Sequence, residues 1–280
     1  MACENFTMQE LKHWSLKDRR GITGVLTDID DTLTTDGAIT ADALAALAAL
    51  QRAGLTVIAV TGRPAGWSEP FARAWPLDAV VAENGAVAFF LQKGAPWPNS
   101  ADHPQLAKRY QQDAATRCAN YARMQQVAQR ILRKVAGAVL AEDSAGRETD
   151  IAIDHHEFAH LSAARIAQTV QIMQSEGMNA TVSSIHINGW YGTHNKLTGA
   201  RWIVSELLGR ELDAERDRWV YVGDSTNDQL MFEAFPHSVG VANVRRFEAQ
   251  LAHPPRYITE SERGAGFAEM AAALLAARTG

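Results

Sequence analysis

Residues 22–33, ITGVLTDIDDTL, decide the reading of this chain. ITGVLT is a short apolar run of the kind that forms a fully buried strand. It stops at three acidic residues in four positions, Asp28, Asp30 and Asp31. In an open parallel α/β sheet, ligands bind beyond the carboxyl ends of the strands, which is where Asp28 and Asp30 would sit. Clustered carboxylates repel unless a cation offsets them. Mg²⁺ suits such a site because it takes oxygen ligands and keeps part of its water. A bland reading stands beside it: Asp is also common in turns and helix caps.

Working outward, residues 41–54 (ADALAALAALQRAG) carry apolar residues at helical spacing and close on Gly54. LTVIAVTG (55–62) is a second β-branched strand, a short helix is expected at 67–74, and DAVVA (78–82) is a third strand. Alternating strands and helices predict a parallel sheet covered by helices. The pattern then changes. Residues 101–135 read as one long, mostly polar helix with a stripe of Leu106, Tyr110, Tyr121, Val127 and Leu132. Strands are expected at 137–142 and 149–154, a helix at 161–176, and strands at 179–184 and 185–190. This helix–strand–strand unit, twice over, predicts an inserted α+β module. From Lys196 the first pattern resumes: a helix, the strand RWVYVGD (218–224), a helix at 227–234, a strand at 238–242 and an Ala-rich last helix. The expected division is 1–86, 87–191 and 192–280, with residues 1–20 peripheral.

GDSTND (223–228) is a second acid cluster directly after an apolar strand. One such cluster is an ordinary turn; two at the carboxyl ends of strands of one sheet are hard to explain that way. Thr61 and Gly62 end the second strand, where a hydroxyl and backbone amides could hold a phosphoryl oxygen. Lys196 opens the helix after the insertion and could place a point charge on the same group.

Composition narrows the partners. With 27 Lys+Arg against 32 Asp+Glu, the chain has a net charge of -5, which gives no global reason to expect nucleic acid or an anionic membrane. Its 46% hydrophobic and 21% charged residues exclude a disordered chain. Two cysteines, Cys3 and Cys118, cannot build a disulfide framework. No apolar run reaches the roughly 18 residues of a membrane span, and the N-terminus lacks the apolar core of a secretory signal. The expectation is a cytoplasmic protein without nucleic-acid or membrane partners.

DIDDTL, VTGRP, Lys196 and GDSTND, in that order, resemble the four motifs of the haloacid dehalogenase superfamily. AENGA (82–86) and the position of the insertion, between Thr61 and Lys196, resemble its type IIB members, among them sucrose-phosphate, mannosyl-phosphoglycerate and trehalose-phosphate phosphatases. The resemblance implies a Rossmann-like parallel-sheet α/β core with an inserted α+β cap domain. It further implies Asp28 as a nucleophile that forms an aspartyl-phosphate and Asp30 as general acid and base. Mg²⁺ would be held by Asp28, the backbone carbonyl of Asp30, Asp224 and Asp228. Thr61, Gly62 and Lys196 would bind phosphate, with Asn227 orienting Lys196 or its loop. Arg63, Asn84, Asn188 and Trp190 are the candidate substrate contacts. Asp30 favours a phosphatase over a dehalogenase, because an alkoxide leaving group needs a proton and a halide does not. The expected activity is Mg-dependent hydrolysis of a small phosphate ester, such as a sugar phosphate. The alternatives are a phosphomutase of the same architecture and a non-catalytic phosphate-metabolite sensor.

A rival motif is His156-Glu157-Phe158-Ala159-His160, which matches the H-E-x-x-H zinc signature. That chemistry needs both histidines on one helix face. Here the motif starts straight after the strand IAID, where a turn is expected, and no third ligand is evident. His155 or His156 could instead line a substrate cleft, and a solvated turn explains the histidines as well. Arg147, Asp150 and Asp154 lie near the expected cap sheet, where structural ion pairs account for them equally well.

Overall fold

The computed structural model describes residues 8–91 and 105–278. A nine-stranded sheet runs in the order Gln9–Glu10, Tyr257–Ile258, His237–Gly240, Trp219–Gly223, Gly24–Thr27, Thr56–Val60, Ala79–Ala82, Val87–Leu91 and Leu106–Tyr110. The first seven are parallel; Val87–Leu91 pairs antiparallel with Ala79–Ala82 and with Leu106–Tyr110. The central parallel strands are buried along their whole length, which is why they read as continuous apolar runs rather than alternating ones.

Helices cover both faces. Ala41–Arg52, Ala65–Ala74 and Arg263–Ala276 pack around Leu47, Leu50, Val57 and Phe267 on one side. Lys196–Leu208 and Gln229–Ala234 pack around Ile58, Ile203, Trp219 and Tyr221 on the other. The chain builds the sheet outward from Gly24–Thr27 in one direction, then returns on its other side through Trp219–Gly223. The strand order therefore reverses between these two neighbours, and the crevice at their carboxyl ends is where such sheets take ligands.

A second, four-stranded antiparallel sheet has the order Asn179–Val182, His186–Trp190, Ile151–Asp154 and Val139–Leu140. The helices Ala114–Lys134 and Ala163–Ser175 bury one face of it with Met124, Ile131, Ile151, Ile153, Met173 and Ile187. Strand alternation sends Thr181, His186, Asn188 and Asp154 to the other face, toward the large sheet.

Three expectations need correction. Leu106–Tyr110 is a strand, and the helix starts only at Ala114 behind an Asp113 cap whose side chain accepts the Thr116 amide. Residues 101–104 lie outside the described residues. The hairpin of Val87–Leu91 and Leu106–Tyr110 belongs to the large sheet, so the boundary expected at 86/87 does not follow the division between sheets. The N-terminal segment is not peripheral: Gln9–Glu10 pairs with Tyr257–Ile258, and buried Trp14 stacks on Tyr257 and His237. Among the described residues, no helix is long and apolar enough to cross a membrane.

Candidate active site

Asp28 continues the central strand by one residue, its amide donating to the Val222 carbonyl at 2.9 Å. That bond places its carboxylate beside the end of Trp219–Gly223, where Asp224 follows. Lys196 comes from the far side of the insertion. Asn195 caps its helix through a reciprocal bond with Thr198. The helix start is pressed against residues 83–85, where a Cβ on Gly85 (φ +108°) would lie 2.2 Å from the Asn195 carbonyl oxygen. The Lys196 ammonium thereby reaches Asp28 Oδ1 at 3.0 Å and Asp228 Oδ1 at 2.7 Å. All three side chains are buried.

The carboxylates of this cluster have different surroundings. Asp228 is fully engaged, accepting from Lys196, the Tyr221 hydroxyl and the amides of Asp224 (2.9 Å) and Ser225 (3.2 Å). Asp224 receives one bond, from Asn243 Nδ2 at 3.1 Å to Oδ2, while its buried Oδ1 has no hydrogen-bond partner. Burial pushes Asp28 up to about 7, opposed first by Lys196 and aided by the Asp228 and Asp30 charges. Burial and the Asp228 charge hold Asp224 well above the usual carboxylate range. Burial disfavours the Lys196 charge, but Asp228 and Asp28 more than offset that and raise it.

One oxygen each from Asp28, Asp224 and Asp228 lies within 4.8 Å of the others, the only such grouping of potential metal ligands among the described residues. Three buried carboxylates face a single lysine, and one oxygen is orphaned. A hard divalent cation such as Mg²⁺ fits this donor set. The Asp30 carboxylate is not part of the group; both its oxygens accept from Arg63 Nε, at 2.9 and 3.0 Å.

Thr61 is fully buried, and its hydroxyl oxygen accepts the Arg63 amide at 3.0 Å, which leaves the hydroxyl proton available. The Gly62 carbonyl accepts from Arg147 at 3.0 Å and from Asn188 at 3.4 Å, both from the second module. Asn84 and Asn188 converge on the buried Asp150 carboxylate, which Arg147 also pairs. Asn84 and Asn188 thus tie the two sheets together. Of the two roles expected for Asn227, contact with the loop is what the structure shows: its Oδ1 accepts from Ser225, while Asp228 holds Lys196. Trp190 is buried, donates to the His194 carbonyl and stacks on the His194 ring.

HEFAH is not helical. Residues 156–159 turn around Asp154, whose two oxygens accept all four of their amides. Glu157 is bound by His186 and Arg63 rather than poised over a metal. The zinc reading therefore lacks its helix. His155 hydrogen-bonds the Ser183 carbonyl. Glu83 is the residue that pattern reading misses altogether. Buried at the end of its strand, it accepts amides from Ala65 on one side and Glu148 and Thr149 on the other. Burial and Asp150 push it up to about 7.

Between the sheets lies a cavity of about 300 Å³, lined in part by Asn84, Thr181, Trp190, His194, Lys196 and Asn227. Apart from Lys196, these are uncharged hydrogen-bonding or aromatic groups, and Met178, Ala180 and Leu230 add apolar surface to the lining. Neither ring nitrogen of His194 has a partner, nor does the Thr181 hydroxyl. Burial lowers His194 to about 4, so its ring is neutral at pH 7. A folded-state value below the unfolded one near 6.5 means the unfolded chain binds the extra proton first. His194 should then cost stability as pH falls from about 6.5 to 4, by up to roughly 3 kcal/mol. His194→Leu should flatten that part of the stability profile, measured by urea melts at pH 7 and pH 4.5; an unchanged slope would refute the assignment.

The sequence matches the haloacid dehalogenase-like hydrolases over residues 25–270. A search of curated proteins returns no match. Similar solved structures include Thermoplasma acidophilum 0175, with 16% identity, TM-score 0.66 and coverage of 91% of this chain and 98% of that one. Another is the sucrose-phosphatase of a Synechocystis species, solved with sucrose and phosphate, at 16% identity, TM-score 0.61 and the same coverages of 91% and 98%. A haloacid dehalogenase subclass IIB sugar phosphatase matches at 14% identity and TM-score 0.58, over 92% of this chain and 98% of its own. With its motifs gathered at one crevice and the family match spanning nearly its whole length, the chain belongs to the haloacid dehalogenase-like hydrolases.

Proposed function

We propose that the protein is a Mg²⁺-dependent phosphomonoester hydrolase that cleaves a sugar phosphate through an aspartyl-phosphate. The observation that carries this reading is Asp28 at the sheet's switch point, 3.0 Å from Lys196 and grouped with Asp224, whose Oδ1 is unpaired. An Asp28 oxygen attacks phosphorus, a P–O bond forms, and the ester P–O bond breaks. Asp30 gives its proton to the departing alkoxide. Asp30 then takes a proton from the water that attacks the aspartyl-phosphate, which releases inorganic phosphate and restores both carboxyl groups. Lys196 and the Thr61 hydroxyl hold phosphoryl oxygens as charge spreads over them. Asp28, Asp224 and Asp228, with the Asp30 backbone carbonyl, would hold Mg²⁺, which neutralises charge on the carboxylate and the phosphoryl group. Apart from Lys196 the cavity lining is uncharged, with hydrogen-bonding groups such as Asn84, Thr181 and Thr193 beside apolar Met178 and Leu230, which supports a neutral leaving group such as a sugar. The sucrose bound by the Synechocystis enzyme is of that chemistry.

The test is phosphate release from a panel of sugar and other phosphate esters, with Mg²⁺ or with chelator, also scored for isomerised sugar phosphate. Mg²⁺-dependent release that survives His156→Ala is expected. Isomer without free phosphate would identify a mutase instead. Metal binding has its own readout. Mg²⁺ at about 100 times its Kd should stabilise the fold by about 2.7 kcal/mol. Asp224→Asn should remove that gain in a thermal melt, while the metal-free variant folds at least as stably as the parent, since burial disfavours the Asp224 charge. An undiminished shift in Asp224→Asn would take Asp224 out of the metal site.

A further inference from the structure

The HEFAH turn delivers Glu157 to the candidate active site. Asp154 accepts the amides of residues 156–159 at 2.8–3.0 Å, so one buried carboxylate fixes the whole turn. Glu157 leaves that turn with Oε2 2.8 Å from His186 Nε2, and its Oε1 accepts from Arg63 Nη2 at 3.1 Å. Arg63 is itself buried, and each of its three nitrogens serves a different carboxylate. Nη2 takes Glu157. Nη1 takes Asp143 at 3.3 Å, and Asp143 is in turn paired by Arg147. Nε takes both oxygens of Asp30. The Arg63 Cζ lies 5.1 Å from the Trp67 ring centre.

Two of these carboxylates belong to the inserted α+β module and one to the DIDDTL loop. A structural ion pair needs one carboxylate; three around one guanidinium, drawn from both modules and one to each nitrogen, fix its plane. We propose that Arg63 is a positioning residue that ties the seating of the inserted module to the orientation of Asp30. Glu157, braced by His186, and Asp143 set the plane of the guanidinium, and that plane sets where the Asp30 carboxyl points. Proton delivery to the leaving group is then aligned only when the module is seated. The proposal rests on the phosphatase reading for the role of Asp30, and it gives a task to the glutamate of an otherwise unused motif.

A leaving group that needs a proton reports on Asp30, and one that leaves unaided does not. The experiment compares kcat/KM for glycerol 2-phosphate and for p-nitrophenyl phosphate, because that ratio reports ester cleavage rather than the later loss of phosphate. Arg63→Gln should lower it about 10–100-fold for the alkyl ester and less than about 3-fold for the aryl ester, part of the 10²–10⁴ that a general acid supplies. Glu157→Gln, at a partly exposed site, should show the same asymmetry at smaller size, and covers the case in which Arg63→Gln folds poorly. Asp30→Asn is the reference. If Asp30→Asn shows the asymmetry and the other two variants slow both esters equally or neither, the proposal falls and the phosphatase reading stands. If Asp30→Asn lacks the asymmetry, or the parent cleaves neither ester, the role of Asp30 falls and takes the proposal with it.

Discussion

Asp28→Asn should lose turnover by at least about 10⁴-fold, the scale on which removal of a covalent nucleophile is felt, while folding no less stably than the parent. The two halves of this result come from the same geometry. The amide keeps the shape of the side chain but cannot form the acyl-phosphate at a useful rate. Stability moves the other way because burial already raises Asp28 to about 7. A folded-state value above the unfolded one means the folded chain holds the proton longer. Stability from this group is therefore present below the unfolded value near 3.9 and lost as pH rises through about 7. Asparagine carries no charge to bury, and Lys196 keeps Asp228. Without metal, the variant should be more stable than the parent at pH 8, with the difference shrinking by pH 5. Denaturant melts at both values, alongside phosphate release with Mg²⁺, check it. Activity that survives would remove Asp28 from the mechanism. A variant less stable at pH 8 would mean that the Asp28–Lys196 contact outweighs the burial cost.

The parts of the site that sequence alone reveals are those set by strand ends. Asp28, Thr61 and Asp224 each follow directly on a β-branched apolar run, and a parallel sheet aligns the ends of such runs. The switch point then gathers them whatever the rest of the chain does. Lys196 is legible only through its place after the insertion. Nothing local marks it, since its function depends on Gly85 and Asn195 pressing its helix against the core.

What stays hidden is set by packing between the modules. Leu106 and Tyr110, four apart, satisfy a helical stripe, but LAKRY becomes an edge strand because Val87–Leu91 offers an unpaired ladder. Tertiary pairing overrides the local pattern there. Asp143 and Glu157 lie 80 and 94 residues from Arg63, so no spacing rule connects them. Glu83 reads as an ordinary strand-end acid until the amides of Glu148 and Thr149 arrive from the other module. Asn188 and Trp190 share one strand of the smaller sheet, and there the Asn188 amide nitrogen donates to Asp150 and Gly62 and the Trp190 indole to His194. Among the buried atoms of the cavity lining, the Thr181 hydroxyl and the His194 ring nitrogens lack partners, and no motif marks either residue.

Asp228→Ala should have the opposite sign to Asp28→Asn, although both remove a carboxylate from one cluster. Relief of repulsion between Asp228 and its neighbours favours the variant, and so does removal of a buried charge. Against this stand four donors that lose their acceptor: Lys196, the Tyr221 hydroxyl and the amides of Asp224 and Ser225. Tyr221 and Asp224 are buried, so water cannot readily replace the lost bonds. A buried donor left unsatisfied costs about 1–3 kcal/mol, and a broken buried ion pair costs about 3–5 kcal/mol. Lys196 retains Asp28, which trims the second figure but not the first. The losses win, and the metal-free variant should be destabilised by roughly 3–5 kcal/mol. Turnover should fall as well, since Lys196 loses the shorter of its two anchors and is drawn onto Asp28, whose free carboxylate the reaction needs. Urea melts of the two variants without metal decide the matter. If Asp228→Ala is as stable as Asp28→Asn, the loop 224–228 is held by something other than this carboxylate. If it is destabilised as expected, one member of the trio serves chiefly to hold lysine and loop in place, and Asp28 and Asp224 are the carboxylates whose cost of burial the fold accepts for chemistry.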